Sequence, residues 1–186
     1  TADKPNLYLY PEAPTRTEVT LGTSSRQRIF ASDPPYRKGW QGVAMPDGTF
    51  VTDHAAPFLF YEATLEPWQV RRMQREEGWC FEGGPGDAVA GMAGLLEAYG
   101  FSAAEADDFV EGWRIDLPPA GAYAVYPQRE VDHAVALRVS PSLPVERLWL
   151  LVEDPGTCDG ALMPPEIAPL DRRGPHRDGV DREGDQ

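Results

Sequence analysis

The sequence predicts an α+β fold: a mostly antiparallel β-sheet or sandwich with an αα-hairpin inserted between N-terminal and C-terminal strands. Three observations carry this. Alternating, β-branched runs such as Thr17-Glu-Val-Thr-Leu21 lie in the N-terminal half, and apolar runs such as 148–153 lie near the C-terminal end. Between them, residues 87–113 carry helix-capping signals and helical spacing of apolar side chains. Strands first, then helices, then strands again is the order of an α+β chain, with helices packed on one face or end of the sheet.

Taken in order, residues 7–10 form an aliphatic-aromatic run that stops at Pro11 and suits a strand, and 17–21 form the next one. Pro34-Pro35 marks a loop. Segments 40–45 and 49–52 flank Pro46-Asp47-Gly48, where Asp-Gly supplies the positive dihedrals of a tight hairpin turn. Residues 58–65 make a heavily aromatic strand. Pro67 suits the first position of a short helix reaching Glu77, because that amide has no helical acceptor.

Asp87 is placed to cap a helix over 88–99, and Gly100 stands where a left-handed C-terminal cap is expected. Ser102 and Glu105 match a capping box that starts a second helix ending near Trp113. Met92, Leu95, Leu96 and Tyr99 line one face of the first helix; Phe109, Val110 and Trp113 line the second. So short a connection makes the pair antiparallel. Gly91 and Gly94 lower helix propensity, for which close packing would compensate. Strands over 122–126, 134–139 and 148–153 follow. Residues 171–186 hold little to bury and read as a disordered charged tail, leaving 1–170 as a single domain.

The charge balance narrows the function. With 30 acidic against 17 basic residues the net charge is −13, and the basic cluster Arg71, Arg72 and Arg75 runs straight into Glu76 and Glu77. Phosphate recognition needs a basic face, so no nucleic-acid partner is expected. The longest apolar runs are strand-sized, so no transmembrane segment is expected. The chain starts at Thr1, which leaves open whether a leader was removed. Cys80 and Cys158 read either as one disulfide, if the protein is secreted, or as small buried apolar groups, if it is cytoplasmic.

The opening Lys4-Pro5-Asn6-Leu7-Tyr8-Leu9-Tyr10-Pro11-Glu12 resembles the start of a group of largely uncharacterised, mostly bacterial proteins whose domain opens with a K-P-x-x-Y-L-Y-P-E motif. Residues 17–21 are similar to that group's next strand, Gly39-Trp40 through Pro46-Asp47-Gly48-Thr49 to its G-W…P-D-G-T hairpin, and Phe58-Leu59-Phe60-Tyr61-Glu62 to its Y-L-F-W-E segment, with tyrosine in place of tryptophan. Residues 78–113 match as well, so the resemblance spans roughly 4–153. It implies an extracytoplasmic or secreted location, since members are commonly secreted or lipid-anchored. It implies no activity.

Several residues could carry chemistry. Glu62 follows four aromatic or aliphatic residues in a strand, where a carboxylate must be paired, hydrogen-bonded or protonated. Such acids serve in catalysis, or tie loops by accepting backbone amides. Asp53 and His54 close the Asp-Gly hairpin, and an antiparallel return could bring His54 near Glu62 as a base–acid or metal-ligand pair. Asp132-His133 repeats the dipeptide. H-E-x-x-H, C-x-x-C, calcium-loop and G-x-S-x-G motifs are missing, so the sequence names no metal site, and it specifies no cofactor. Cys80, between Trp79 and Phe81, reads as buried rather than nucleophilic; Gly83-Gly84-Pro85-Gly86-Asp87 reads as a connecting loop, because Asp87 would repel phosphate. The five tryptophans and seven tyrosines are mostly spaced as core or rim residues, but they could include a platform that stacks on sugars or prolines, for which Trp40, Tyr61 and Trp68 are the candidates. Two functions result: an extracytoplasmic binding or accessory structural domain for a protein or glycan partner, or a hydrolase or metal-dependent enzyme using Glu62 with His54 and Asp53.

Overall fold

In the computed structural model, which describes residues 6–113, 117–143, 147–158 and 162–168, strands and helices follow the predicted order. The first stretch holds β1 (Asn6–Leu7), β2 (Thr15–Gly22), β3 (Ile29–Asp33), β4 (Trp40–Ala44), β5 (Phe50–Val51), β6 (Ala55–Ala56) and β7 (Leu59–Ala63). Then come α1 (Pro67–Arg71), β8 (Trp79–Glu82), α2 (Pro85–Ala98), α3 (Ala103–Trp113), β9 (Ala122–Gln128), β10 (Ala136–Ser140) and β11 (Trp149–Glu153). The fold is α+β: three antiparallel sheets, with the α2–α3 pair inserted in sequence between N-terminal and C-terminal strands. The described residues divide into two compact units. One runs to Glu66 and includes the segment from Asp132; the other runs from Pro67 to Val131 and includes the segment from Arg147. The tail expected at 171–186 lies outside the described residues.

In the N-terminal unit one sheet has the order β10-β2-β4-β5-β6 and the other the order β1-β7-β3. Residues paired across antiparallel strands share a face. Val19 opposite Trp40, and Ala44 opposite Phe50, which is in turn opposite Ala56, therefore mark one inner face, and all five are buried. On the other sheet Leu7 pairs with Leu59, and Leu59, Tyr61 and Ala63 are buried. Trp40 lies 6.3 Å from Tyr61, ring centroid to ring centroid, so the two inner faces meet there. The solvent side of the larger sheet is polar, as in the Gln41 Nε2 donation to Glu18 Oε1 at 3.1 Å.

The β4–β5 hairpin corrects one sequence expectation. Gly48 alone of the Asp-Gly pair has positive φ, at 91°, and Gly48 N–H donates to Met45 O at 3.0 Å. Met45 N–H also donates to Thr49 O at 2.9 Å, so the loop is the three residues Pro46-Asp47-Gly48, with Pro46 second in the turn and Gly48 alone left-handed. β3, β6 and β8 were not foreseen. β3 lacks a clean alternation because its register shifts between Ile29 and Ala31, and the other two are short edge strands paired on one side only.

The C-terminal unit packs α2 and α3 on the sheet β11-β9-β8. Ala88, Val89 and Met92 of α2 meet Tyr123 and Val125 of β9 and Leu150 of β11, with Phe109, Val110 and Trp113 of α3 packed against them. The capping box holds as expected: Ser102 N–H donates to Glu105 Oε2 at 2.7 Å, and Glu105 N–H to Ser102 Oγ at 3.3 Å. Gly100 has φ 94° and ends α2, with Phe101 N–H donating to Leu96 O. At the other end the expected cap is displaced. Gly84 occupies that position without a side-chain bond, and Asp87 sits in the first turn, because Pro85 starts the helix earlier than its apolar spacing suggests. α1 likewise ends at Arg71 rather than Glu77; Arg75 Nη1 donates to the carbonyls of Val70, in its last turn, and of Met73, just past its end.

On the opposite face of that sheet, residues 73–78 are bound down by side-chain amides. Gln128 accepts from Gln74 N–H at 2.9 Å and donates to Gln74 O at 2.9 Å, while Gln74 Nε2 donates to Pro127 O at 2.7 Å. Arg75 forks onto Glu153 Oε1 through Nε and Nη2 at 2.9 and 2.7 Å. Of the two readings of the cysteines, the bonded one is correct: Cys80 of β8 is joined to Cys158 across 78 residues of sequence. The same C-terminal segment adds a bridge from Met163 to Glu77.

Two predictions follow from this packing. A Cβ at Gly91 would run into the Phe81 ring, whereas at Gly94 it meets nothing within 4 Å, so of the two Gly91 is the one there for close approach. Gly91→Ala should cost about 1–3 kcal/mol by overpacking, and Gly94→Ala should gain about 0.5–1 kcal/mol of helix propensity; urea unfolding of both variants reads the difference. Replacing Cys80 and Cys158 together with serine should lower stability by about 2–5 kcal/mol, as expected for opening a long loop, read by the same titration without reductant.

Candidate functional site

β7 is the middle strand of the β1-β7-β3 sheet, and its alternation sorts its side chains. Leu59, Tyr61 and Ala63 point to the interior, while Phe60 and Glu62 are half-buried on the outer face. Asn6 and Asp33 pair with Phe60 from the two flanking strands, and Ala31 pairs with Glu62, so these residues share that outer face. The alternation continues beyond β1: Leu7 and Leu9 are buried, Tyr8 and Tyr10 half-buried. The Tyr8 ring lies 5.5 Å from Phe58 and 6.3 Å from Tyr10, and the two tyrosine planes are within 4° of parallel.

The outer face therefore presents a row of rings, Tyr10, Tyr8, Phe58 and Phe60, bordered by the carboxylates of Asp33 and Glu62. The turn glycine fixes one end. A Cβ at Gly48 would stand 2.7 Å from the Tyr10 ring, so the ring rests against a position that only glycine fills. At the opposite edge the β3 irregularity leaves Phe30 59% exposed. Such a face can stack on flat or C–H-rich ligand surfaces through the rings and accept hydrogen bonds through the acids.

The residues singled out from sequence fall in different places. Glu62 belongs to this face. Asp53 and His54 are exposed in the turn between β5 and β6, in the other sheet of the unit, and the His54 hydrogen bonds run from Thr52 N–H and Oγ1 to its carbonyl. Among the described residues, no group of three or more His, Cys, Asp or Glu is placed to hold a metal ion.

Trp40 and Tyr61, expected as parts of a binding platform, are corrected to core residues. They are 2% and 3% exposed, and Trp40 donates from Nε1 to Pro34 O at 2.7 Å while Tyr36 packs edge-on at 4.7 Å. Rings with no open face cannot stack on a ligand. Trp68, 40% exposed on α1, belongs to the C-terminal unit.

Tyr8 and Tyr10 stood among the tyrosines that could form a platform, but Phe58 and Phe60 and their grouping with the tyrosines were missed, although a signal was present. Glu62 is the charged residue of its strand, and stepping back by two from it reaches Phe60 and Phe58; in Leu7-Tyr8-Leu9-Tyr10 the leucines take the inner positions and the tyrosines the outer ones.

Assigning Trp40 to the core has a measurable consequence. Trp40→Phe keeps most of the apolar volume but strands the buried Pro34 carbonyl, and should cost about 1–3 kcal/mol in chemical denaturation. Comparison of the chain with protein-family models, with curated proteins and with solved structures returns no match.

Proposed function

We propose that the chain is an extracytoplasmic binding or accessory structural domain that engages a protein or glycan partner through the outer face of the β1-β7-β3 sheet. The observation that carries this is the row of half-buried rings Tyr10, Tyr8, Phe58 and Phe60 beside Glu62 and Asp33. Aromatic side chains bring large contact area at small entropic cost, which is why they anchor interfaces.

The location is supported by the Cys80–Cys158 disulfide, which persists in oxidising compartments, and by the resemblance of residues 4–12 to a group with secreted and lipid-anchored members. No described helix is long and apolar enough to cross a membrane.

Retention of the purified chain on cell-envelope material from the cells that produce it tests the proposal. Tyr8→Ala combined with Tyr10→Ala should lower retention about tenfold, the loss expected of two stacking contacts, with the thermal transition still cooperative. Trp68→Ala should leave retention unchanged. Retention lost with Trp68→Ala and kept in the tyrosine variant would place binding on the other unit and contradict the proposal.

A further inference from the structure

Resting on that reading, we infer that the ligand of the face is a glycan built from neutral or amino-bearing sugars, and that Tyr8 and Tyr10 form its stacking platform with Asp33 and Glu62 as hydroxyl acceptors. Three features of the sheet point to this class. The first is ring orientation. The Tyr8 and Tyr10 planes differ by 4° and their centroids are 6.3 Å apart, so they offer one common orientation to successive units of an extended ligand. A pyranose ring presents a patch of slightly positive C–H bonds, which is attracted to the negative face of an aromatic ring.

The second feature is charge. The polar groups flanking the rings at Asp33 and Glu62 accept hydrogen bonds when ionised, and sugar hydroxyls donate to such acceptors. As carboxylates they repel uronates, sulfates and phosphates, and they favour neutral or protonated amino sugars.

The third feature is the state of the sheet edges. An extended peptide binds most readily by adding a strand, through main-chain hydrogen bonds, to an open edge. Here one edge is β1, two residues long, and the other is β3, whose register breaks between Ile29 and Ala31. Short edges and bulges discourage strand addition. What the sheet offers is its face rather than its edge.

The test uses the whole chain with four immobilised polymers: cellulose and chitin (neutral), chitosan (amino-bearing) and polygalacturonate (acidic), and with a soluble oligolysine peptide as a protein-like competitor. Binding to at least one of the first three is expected, with none to polygalacturonate, and Tyr8→Ala with Tyr10→Ala should weaken it about tenfold. Should that variant unfold, the tyrosine ring resonances of the unmodified chain are followed by NMR during titration with chitohexaose and cellohexaose; shifts at Tyr8 and Tyr10 are expected. Binding to polygalacturonate as strong as to the others, or binding unaffected with both tyrosines replaced, would overturn the inference. Oligolysine binding lost in the tyrosine variant, with no polymer bound, would overturn the glycan while leaving a binding face. No binding of polymer or peptide would remove both.

Discussion

A β-strand can turn only alternate side chains to one face, and β7 is held between β1 and β3, so the pairing of Leu59 with Leu7 and of Tyr61 with Ser32 decides the fate of every residue from Phe58 to Ala63. In this register Leu59 and Tyr61 face the interior of the unit, where Tyr61 meets the ring of Trp40, and Phe60 and Glu62 are turned outward. A slip by one residue would carry a carboxylate into the core and a leucine to the surface. The cost of burying that charge fixes the register, and the same constraint creates the outer aromatic row. The interior and the candidate surface are thus two sides of one choice.

The C-terminal unit is fixed in a different way. Every residue of β9 is buried, so both faces of its sheet must be covered. Helices cover one, and Gly91 lets α2 approach Phe81 closely enough to do so. The other is covered by chain with little regular structure, which carries backbone groups that need partners. Gln74, Gln128 and Arg75 supply many of these, and the disulfide ties the returning segment to β8. The Arg75–Glu153 pair is too exposed to contribute much as an ion pair; its use is to hold the segment after α1 in place.

Much of this was legible in the sequence because local chemistry dictated it. The Ser102–Glu105 box, the left-handed Gly100 and the glycine turn at Gly48 are decided by neighbours a few residues apart, and most strands announced themselves by alternation. What was not legible depends on distant partners. β8 finds its place only beside β9, more than forty residues on by sequence, and β3 is irregular because it adapts to β7. The state of the cysteines likewise required knowing that Cys158 returns to Cys80. For the candidate site, composition drew attention to tryptophan and to Tyr61, whereas the parity set by Glu62 selects Phe58 and Phe60. Aromatic identity alone does not say which way a ring faces; in a strand of mostly apolar residues, one charged position does.

Cross-strand nuclear Overhauser contacts in the N-terminal unit test this account most directly. Contacts pairing Leu7 with Leu59, Ser32 with Tyr61 and Asp33 with Phe60 are predicted. Contacts displaced by one residue, such as Leu7 with Phe60 and Ser32 with Glu62, would contradict it, because they would bury Glu62 and dismantle the outer row of rings.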